Sequence, residues 1–289
     1  MSPEIGVVRF SWHKAAWLWL NLAGAALAIP YASKHMAVSL TLTFLTLCVG
    51  HSVTLHRGII HRTFDFAPGV RGPLLWLFVF TGLGGPLSWV RLHYVRDHWQ
   101  NQRECPDYFA YRHSLLRDFW WNLHCAFTPR DWQRYRIPPE LEADPQLRSL
   151  ERTWWLWNLA FFAALAWVGG VELGLVAGFG RVAASIVGHW AIGFFTHKHG
   201  GRRYQLAGAT ESGTNITPLG WVSFGEGFHN NHHAYPASAR MGVRWWEFDL
   251  GWLTVQVLEA LGAVKHVRAW SRGNAALKPN ASAAASAAH

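Results

Sequence analysis

Two apolar stretches, AAWLWLNLAGAALAIPYA (residues 15–32) and MAVSLTLTFLTLCVGHSVTL (residues 36–55), decide the fold of this 289-residue chain. Neither contains an acidic residue, a lysine or an arginine, and each is close to the ~20 residues that cross a bilayer core. A second pair follows at about 153–177 and 182–196, and the links within the two pairs carry Lys34 and Arg181. Buried helices of a soluble protein are the alternative, but tryptophans at the ends of the stretches favour a membrane. We therefore predict four transmembrane helices in two hairpins.

Segment 72–90 (GPLLWLFVFTGLGGPLSWV) is also apolar, but a Gly-Gly-Pro sequence interrupts it. Broken backbone is tolerated at membrane depth only where protein covers it. We expect this segment to lie in the membrane interface or to dip into the membrane.

Charge predicts the orientation. Thirteen arginines lie between Arg57 and Arg152, and the region after residue 198 is also basic. The positive-inside rule then places both termini and the long 57–152 loop in the cytoplasm, in an inner, plasma or endoplasmic-reticulum-type membrane. The net charge of +9 suits a surface against anionic lipid, and the scattered arginines form no nucleic-acid-binding module. Residues 1–273 are predicted to form one domain, and the low-complexity tail 274–289 to be disordered.

The 17 histidines of the chain include several that follow predicted membrane helices. HRGIIHR contains His56 and His61, WVRLHYVRDHWQ contains His93, and GFFTHKHGG contains His197. FHNNHHAYP adds a further set: His229, His232 and His233. Each motif alone fits a surface loop or a zinc site as well. Together, many imidazoles and few carboxylates beside one membrane face indicate a redox metal centre.

These motifs resemble the three histidine boxes of the membrane fatty acyl desaturases, in particular the acyl-CoA desaturase branch. HRGIIHRTF resembles the first box and GEGFHNNHHAYP the third with its flanks, while WAIGFFTHKHG resembles the fourth-helix segment whose histidine completes the metal set. The order of hairpins and boxes also matches across residues 10–270. The resemblance implies an all-α integral membrane protein with a cytoplasmic helical cap that holds a di-iron site.

The second box departs from the family pattern of His-x-x-His-His, because Arg96 and Asp97 occupy its two later histidine positions. Arginine cannot ligate a metal. Asp97, four residues after His93 on the same helical face, could do so, and so could His98 if the helix bulges or ends there. Gly193 stands where the family has an asparagine, four residues before the ligand on the fourth helix. The predicted metal ligands are His56, His61, His93, Asp97, His98, His197, His229, His232 and His233.

By resemblance, two irons would use dioxygen to remove hydrogen from an acyl chain that is linked to CoA, a carrier or a lipid. The irons would supply the chemistry, and the protein would position the chain. Candidates for the head group are Arg91, Arg96, Arg103 and Arg112. Candidates to orient the ligand histidines are Glu226, Asn231, Asn215 and Asp65. Electrons would come from a separate ferredoxin, rubredoxin or cytochrome b5-like protein, which the basic face would attract.

Two alternatives stay open. The same scaffold and metals could insert oxygen, as in related hydroxylases and ketolases; an alcohol product in place of a double bond would distinguish this activity. A protein that binds metal or lipid without catalysis is favoured by the altered second box and opposed by the intact first and third boxes. Oxygen uptake coupled to an electron donor would exclude that alternative.

Overall fold

Two long helical stretches dominate the computed structural model of the protein, which describes residues 5–270. The first, Trp12–Ile60, contains helix α1 (Trp12–Ala28), a 3₁₀ turn at Ile29–Tyr31, helix α2 (Ala32–Thr43) and a π-helical segment, Phe44–Ile60. The second, Pro145–Lys198, contains helix α8 (Pro145–Leu173), a π-helical turn at Gly174–Gly180 and helix α9 (Arg181–Lys198). Both are long and apolar enough to cross a membrane.

Each stretch has a break near its middle. Pro30 lies in the 3₁₀ turn of the first, and Gly169 and Gly170 have non-helical backbone in the second. Gly170 has φ +79°, a left-handed conformation that glycine adopts without steric cost. Lys34 and Glu172, just beyond the two breaks, form an ion pair of 2.5 Å. The two breaks therefore lie beside each other.

The position of Arg181 corrects the expectation that this residue lies in the link between two helices. Arg181 is helical and only 2% exposed. Its guanidinium donates to the Ala177 carbonyl (2.9 Å), the Thr46 hydroxyl (3.1 Å) and the Phe80 carbonyl (2.7 Å). These three acceptors compensate for the loss of hydration, and the chain breaks earlier, at the glycine pair.

The two stretches pack along their length through aromatic rings and close glycine contacts. The Trp17 ring lies 5.0 Å from that of Trp154 and 6.2 Å from that of Phe162. A Cβ on Gly24 would lie 2.4 Å from the Phe179 side chain. The first stretch also contacts residues 71–79 closely, since a Cβ on Gly50 would lie 2.4 Å from the backbone of Leu77. These glycines let neighbouring segments approach more closely than any larger residue would permit.

Shorter elements cover one end of this bundle. Helix α3 (Arg71–Val79) and helix α4 (Pro86–Gln100) come from the interrupted segment 72–90, and the break between them is as predicted. The elements that follow are α5 (Asp107–Ala110), α6 (Leu115–His124), α7 (Pro139–Ala143), α10 (Thr217–Val222), α11 (His229–Ala234) and α12 (Leu250–Ala260).

Two small antiparallel sheets supplement this mostly helical fold. Strand β1 (Gly6–Phe10) pairs with β3 (Cys125–Pro129), and β2 (Asp65–Phe66) pairs with β4 (Val264–Lys265). A buried core that includes Leu55, Leu75, Phe78, Val90 and Leu147 joins the π-helical segment to α3, α4 and α8. This core fixes the helix ends that carry the histidines. The predicted tail 274–289 lies outside the described residues.

Candidate metal centre

Seven histidines from four elements meet at the covered end of the bundle in two groups. In each group, one nitrogen from every ring lies within 4.8 Å of the others. The first group, called the four-histidine group, contains His56, His61, His93 and His232; the second, called the three-histidine group, contains His197, His229 and His233. His229 and His232 lie on the same helix with ring centroids 5.6 Å apart, so the two groups are neighbours.

The π-helical segment explains the first box. Its hydrogen bonds run between residues five apart, as from the His61 N–H to the His56 carbonyl (3.0 Å). Residues at this spacing therefore lie one turn apart on one face, and the rings of His56 and His61 are 4.9 Å apart. His51, five residues before His56, lies on the same face, and its ring packs 4.6 Å from that of His189.

Helix α4 supplies His93 and Asp97, one turn apart. The Nε2 of His93 lies 2.9 Å from the Nε2 of His61 and 3.2 Å from a carboxylate oxygen of Asp97. Two nitrogens bound to one metal at ~2.1 Å and a right angle lie about 3 Å apart. The imidazole spacing therefore matches that of adjacent donors in one coordination sphere.

Polar contacts orient the outer nitrogens of two rings, an ion-pair contact for His56 and a hydrogen bond for His197, and leave the inner nitrogens free. His56 Nδ1 lies 2.9 Å from Glu226, and His197 Nδ1 donates to the Gly193 carbonyl at 2.6 Å. The Nε2 atoms of both rings are buried and have no hydrogen-bond partner within residues 5–270. A ligand histidine usually has this arrangement, with one nitrogen held by an acceptor and the other on the metal.

Burial keeps the imidazoles outside the long helices in their neutral form. It lowers the pKa of His61, His229 and His232 well below 6.5 and that of His233 to about 4. Burial also lowers the pKa of His93. Neutral imidazole is the form that binds metal.

Asparagines and a buried ion pair hold helix α11 in place. The Asn215 side-chain oxygen accepts from the N–H groups of Asn230 (3.0 Å) and Asn231 (3.2 Å). Asn231 in turn donates to the Met241 carbonyl and to Glu247, which pairs with Arg203 at 2.6 Å. Asn215 and Asn231 thus support the backbone that carries the third box.

Two of the predicted site residues lie away from the histidine groups. His98 is one residue beyond Asp97 and therefore points about 100° around the helix. It accepts from Arg134 (3.4 Å) and packs against Trp99 and Tyr135. Asp65 lies at the surface, 2.8 Å from His266, with its side chain 74% exposed.

A cavity of about 450 Å³ lies beside the three-histidine group, and its wall includes Tyr111, whose ring stacks on that of His197. Tryptophans 17, 89 and 154 line it, together with Leu92, Val95, Phe127 and Ile186. His189 and Gly193, on the turns of α9 that precede His197, also face it. Arg91 and Arg96 line this cavity, whereas Arg103 and Arg112 are exposed on the surface. The volume and the mostly apolar lining are typical of a small-molecule site.

Comparison with known proteins identifies the family. The fatty acid desaturase family model matches residues 32–264. The chain belongs to the fatty acid desaturase family. It is 31% identical to an sn-1 stearoyl-lipid 9-desaturase of Anabaena variabilis over 87% of this chain and 91% of that protein. It is 28% identical to an sn-2 palmitoyl-lipid 9-desaturase of Nostoc sp. (strain 36), over 86% of this chain and 90% of that protein. It is also 28% identical to an acyl-CoA 5-desaturase of Anemone leveillei, over 84% of this chain and 75% of that protein.

The predicted family and enzyme class are therefore confirmed. The protein is an enzyme, a desaturase of lipid metabolism, and its long apolar helices agree with a membrane family. Sequence reasoning overlooked two side chains close to the histidine groups, His189 and Tyr111. His189 follows no motif, and Tyr111 lies in a loop far from every box in sequence.

Proposed function

We propose that this desaturase introduces a double bond into an acyl chain of a lipid or of acyl-CoA, using dioxygen, two irons and external electrons. The observation that carries the proposal is the meeting of seven histidines beside an apolar cavity, whose wall includes the Tyr111 ring that stacks on His197. Per turnover, one CH2–CH2 unit, one dioxygen, two electrons and two protons would give one CH=CH unit and two waters.

The residues present fit a pair of iron ions. The four-histidine group would hold one iron and the three-histidine group the other, and Asp97 beside His93 would be a further carboxylate donor. Imidazole and carboxylate are suitable ligands for iron, and the unpartnered Nε2 atoms of His56 and His197 are the inner donors. When bound, the irons would supply dioxygen activation and hydrogen abstraction.

The cavity's part is to bind and orient the acyl chain. All the methylenes of the chain are alike, so the site of attack depends on which carbon the cavity holds beside the histidines. Each buried CH2 contributes about 0.8 kcal/mol, so the apolar lining supplies affinity without polar contacts. The relatives are named for acyl-lipid and acyl-CoA substrates, which supports an acyl chain in one of these linkages.

Charge supports an orientation with the histidines and both termini on the cytoplasmic side. The part of the chain from Arg57 to Arg152 carries thirteen arginines, ten of them between the two long stretches, whereas the two breaks carry one neutralised lysine, Lys34. A basic cytoplasmic face would also attract an acidic electron carrier such as a ferredoxin, a rubredoxin or a cytochrome b5-like protein.

Product analysis tests the proposal. The protein, loaded with iron in phospholipid vesicles, would receive ferredoxin, its reductase and NADPH, with stearoyl-lipid or stearoyl-CoA as substrate. Gas chromatography should show a new monounsaturated chain that the variant His229→Ala/His232→Ala does not form. An alcohol would indicate oxygen insertion instead. An unchanged acyl chain with ferredoxin, and also with rubredoxin or cytochrome b5 in its place, would overturn the proposed reaction.

A further inference from the structure

Tyr111 makes the closest aromatic contact with a histidine of the three-histidine group. Its ring stacks on that of His197, with centroids 4.2 Å apart and planes inclined by 12°. Tyr111 is 6% exposed and has left-handed backbone, φ 51° and ψ 31°. A buried aromatic residue rarely adopts this conformation, and such strain persists only where surrounding contacts impose it.

Hydrogen bonds of His113 hold the backbone of Tyr111 in this left-handed conformation. His113, two residues after Tyr111, donates from Nε2 to Asp118 (2.6 Å) and from Nδ1 to the Asp107 carbonyl (3.0 Å). Asp118 is fully buried and also accepts from the indole N–H of Trp190 at 2.7 Å. Trp190 lies on α9, two turns before His197. The hydrogen bonds that Asp118 accepts from His113 and Trp190 therefore connect the Tyr111 loop to the helix that carries His197.

The hydroxyl of Tyr111 faces the cavity. It makes no hydrogen bond within residues 5–270, although Tyr111 lines the cavity wall beside Gly193. A Cβ on Gly193 would be 3.8 Å from this hydroxyl, so a side chain larger than alanine at position 193 would compete with the phenol for the same space. The hydroxyl is therefore open to the cavity. An alkyl chain there could not accept its hydrogen bond, whereas an oxygen atom of water or dioxygen could.

We propose that Tyr111 is a positioning residue of the desaturation reaction. Its ring fixes the plane of the His197 imidazole, and its hydroxyl donates a hydrogen bond to dioxygen or water at the end of the acyl cavity. The inference rests on the proposed function for the role of the hydroxyl. The role of the ring requires only that the histidines bind metal.

Two variants separate these roles. Tyr111→Phe keeps the ring on His197 and removes only the hydroxyl, whereas Tyr111→Leu removes the stacked ring. Tyr204→Phe is the matched control, because Tyr204 is also a buried tyrosine but does not line the cavity. The readouts are iron bound per chain, turnover, and hydrogen peroxide released per double bond formed.

We expect Tyr111→Phe to bind iron like the unsubstituted protein, to turn over about 100-fold more slowly and to release more peroxide per double bond. Tyr111→Leu should bind iron about tenfold more weakly, as when a ligand histidine loses its support. Normal turnover and coupling in Tyr111→Phe would overturn the role of the hydroxyl, and full iron affinity in Tyr111→Leu would overturn the role of the ring. Absence of product from the unsubstituted, iron-loaded enzyme would instead count against the proposed function.

Discussion

At the scale of single residues, helix geometry decides which side chains reach the centre. His56 and His61 would diverge on an α-helix, and only the π-helical hydrogen bonds bring them to one face. The HRGIIHR motif identified both residues, but no periodicity in the sequence predicted the π-helix. The choice between Asp97 and His98 likewise stayed open in the sequence, because it depends on where α4 ends. The helix continues to Gln100, so Asp97 stays on the face of His93.

This geometry predicts different outcomes for two adjacent substitutions. Asp97→Asn removes the carboxylate charge beside His93 and should lower the iron bound per chain. His98→Ala should leave the bound iron unchanged, because His98 contacts Arg134 and Tyr135 instead. Metal analysis of both purified variants checks this. Iron loss in His98→Ala with full iron in Asp97→Asn would reverse the assignment.

Glu226 offers a second prediction at this scale. Its carboxylate lies 2.9 Å from His56 Nδ1 and accepts from the Ser52 hydroxyl at 2.5 Å. Glu226→Gln weakens the support of His56 and should lower iron affinity about tenfold. Competition with a chelator measures this affinity. Glu211→Gln is the control, since Glu211 is equally buried (both 9% exposed) but pairs with Arg202; an equal loss there would contradict the account.

At the scale of elements, short helix α11 depends on its neighbours. Six residues cannot form a stable helix alone, so Asn215, Glu247 and Arg203 hold it from outside. The sequence predicted Asn215 and Asn231 near the third histidine box, which α11 carries. It did not predict a role for Glu247, which follows this box by more than a dozen residues. Such contacts between segments distant in the chain have no local signature.

The support by Glu247 should depend on pH. Burial raises the pKa of Glu247, but hydrogen bonds from Arg203 and from the Arg244 and Val243 N–H groups outweigh it, so this pKa lies below 4.5. The stabilisation is therefore present above about pH 4.5 and lost as the pH falls through the lowered pKa. Glu247→Gln should cost about 2 kcal/mol at pH 7 and less below pH 4.5. Thermal unfolding in detergent at both pH values measures this, and a pH-independent difference would contradict it.

At the scale of the whole molecule, hydropathy predicted the two apolar pairs and the interrupted segment between them. It misplaced the second link, because burial of Arg181 by three acceptors overrides the preference of an arginine for water. With 49 and 54 residues, the two long stretches each exceed twice the ~20 residues of one crossing. Their adjacent breaks fit two hairpins that cross and return.

Cysteine labelling tests this topology. Ser33→Cys places an exposed thiol beside the breaks, and Arg130→Cys places one among the covering elements. Cys48, Cys105 and Cys125 are buried and give a low background. In intact cells a membrane-impermeant maleimide should label only residue 33, and after lysis it should label both. Labelling of residue 130 alone in intact cells would show that the orientation is the reverse of the one proposed.

The central claim is that the two histidine groups hold iron, and iron content per chain tests it most directly. The protein would be expressed with ample iron, purified in detergent and compared with the His229→Ala/His232→Ala variant, which removes one ring from each group. We predict two irons per chain in the unsubstituted protein and loss of both in the double variant, with His98→Ala as the control that keeps them. Near-zero iron, or zinc alone, in the unsubstituted protein would contradict the account.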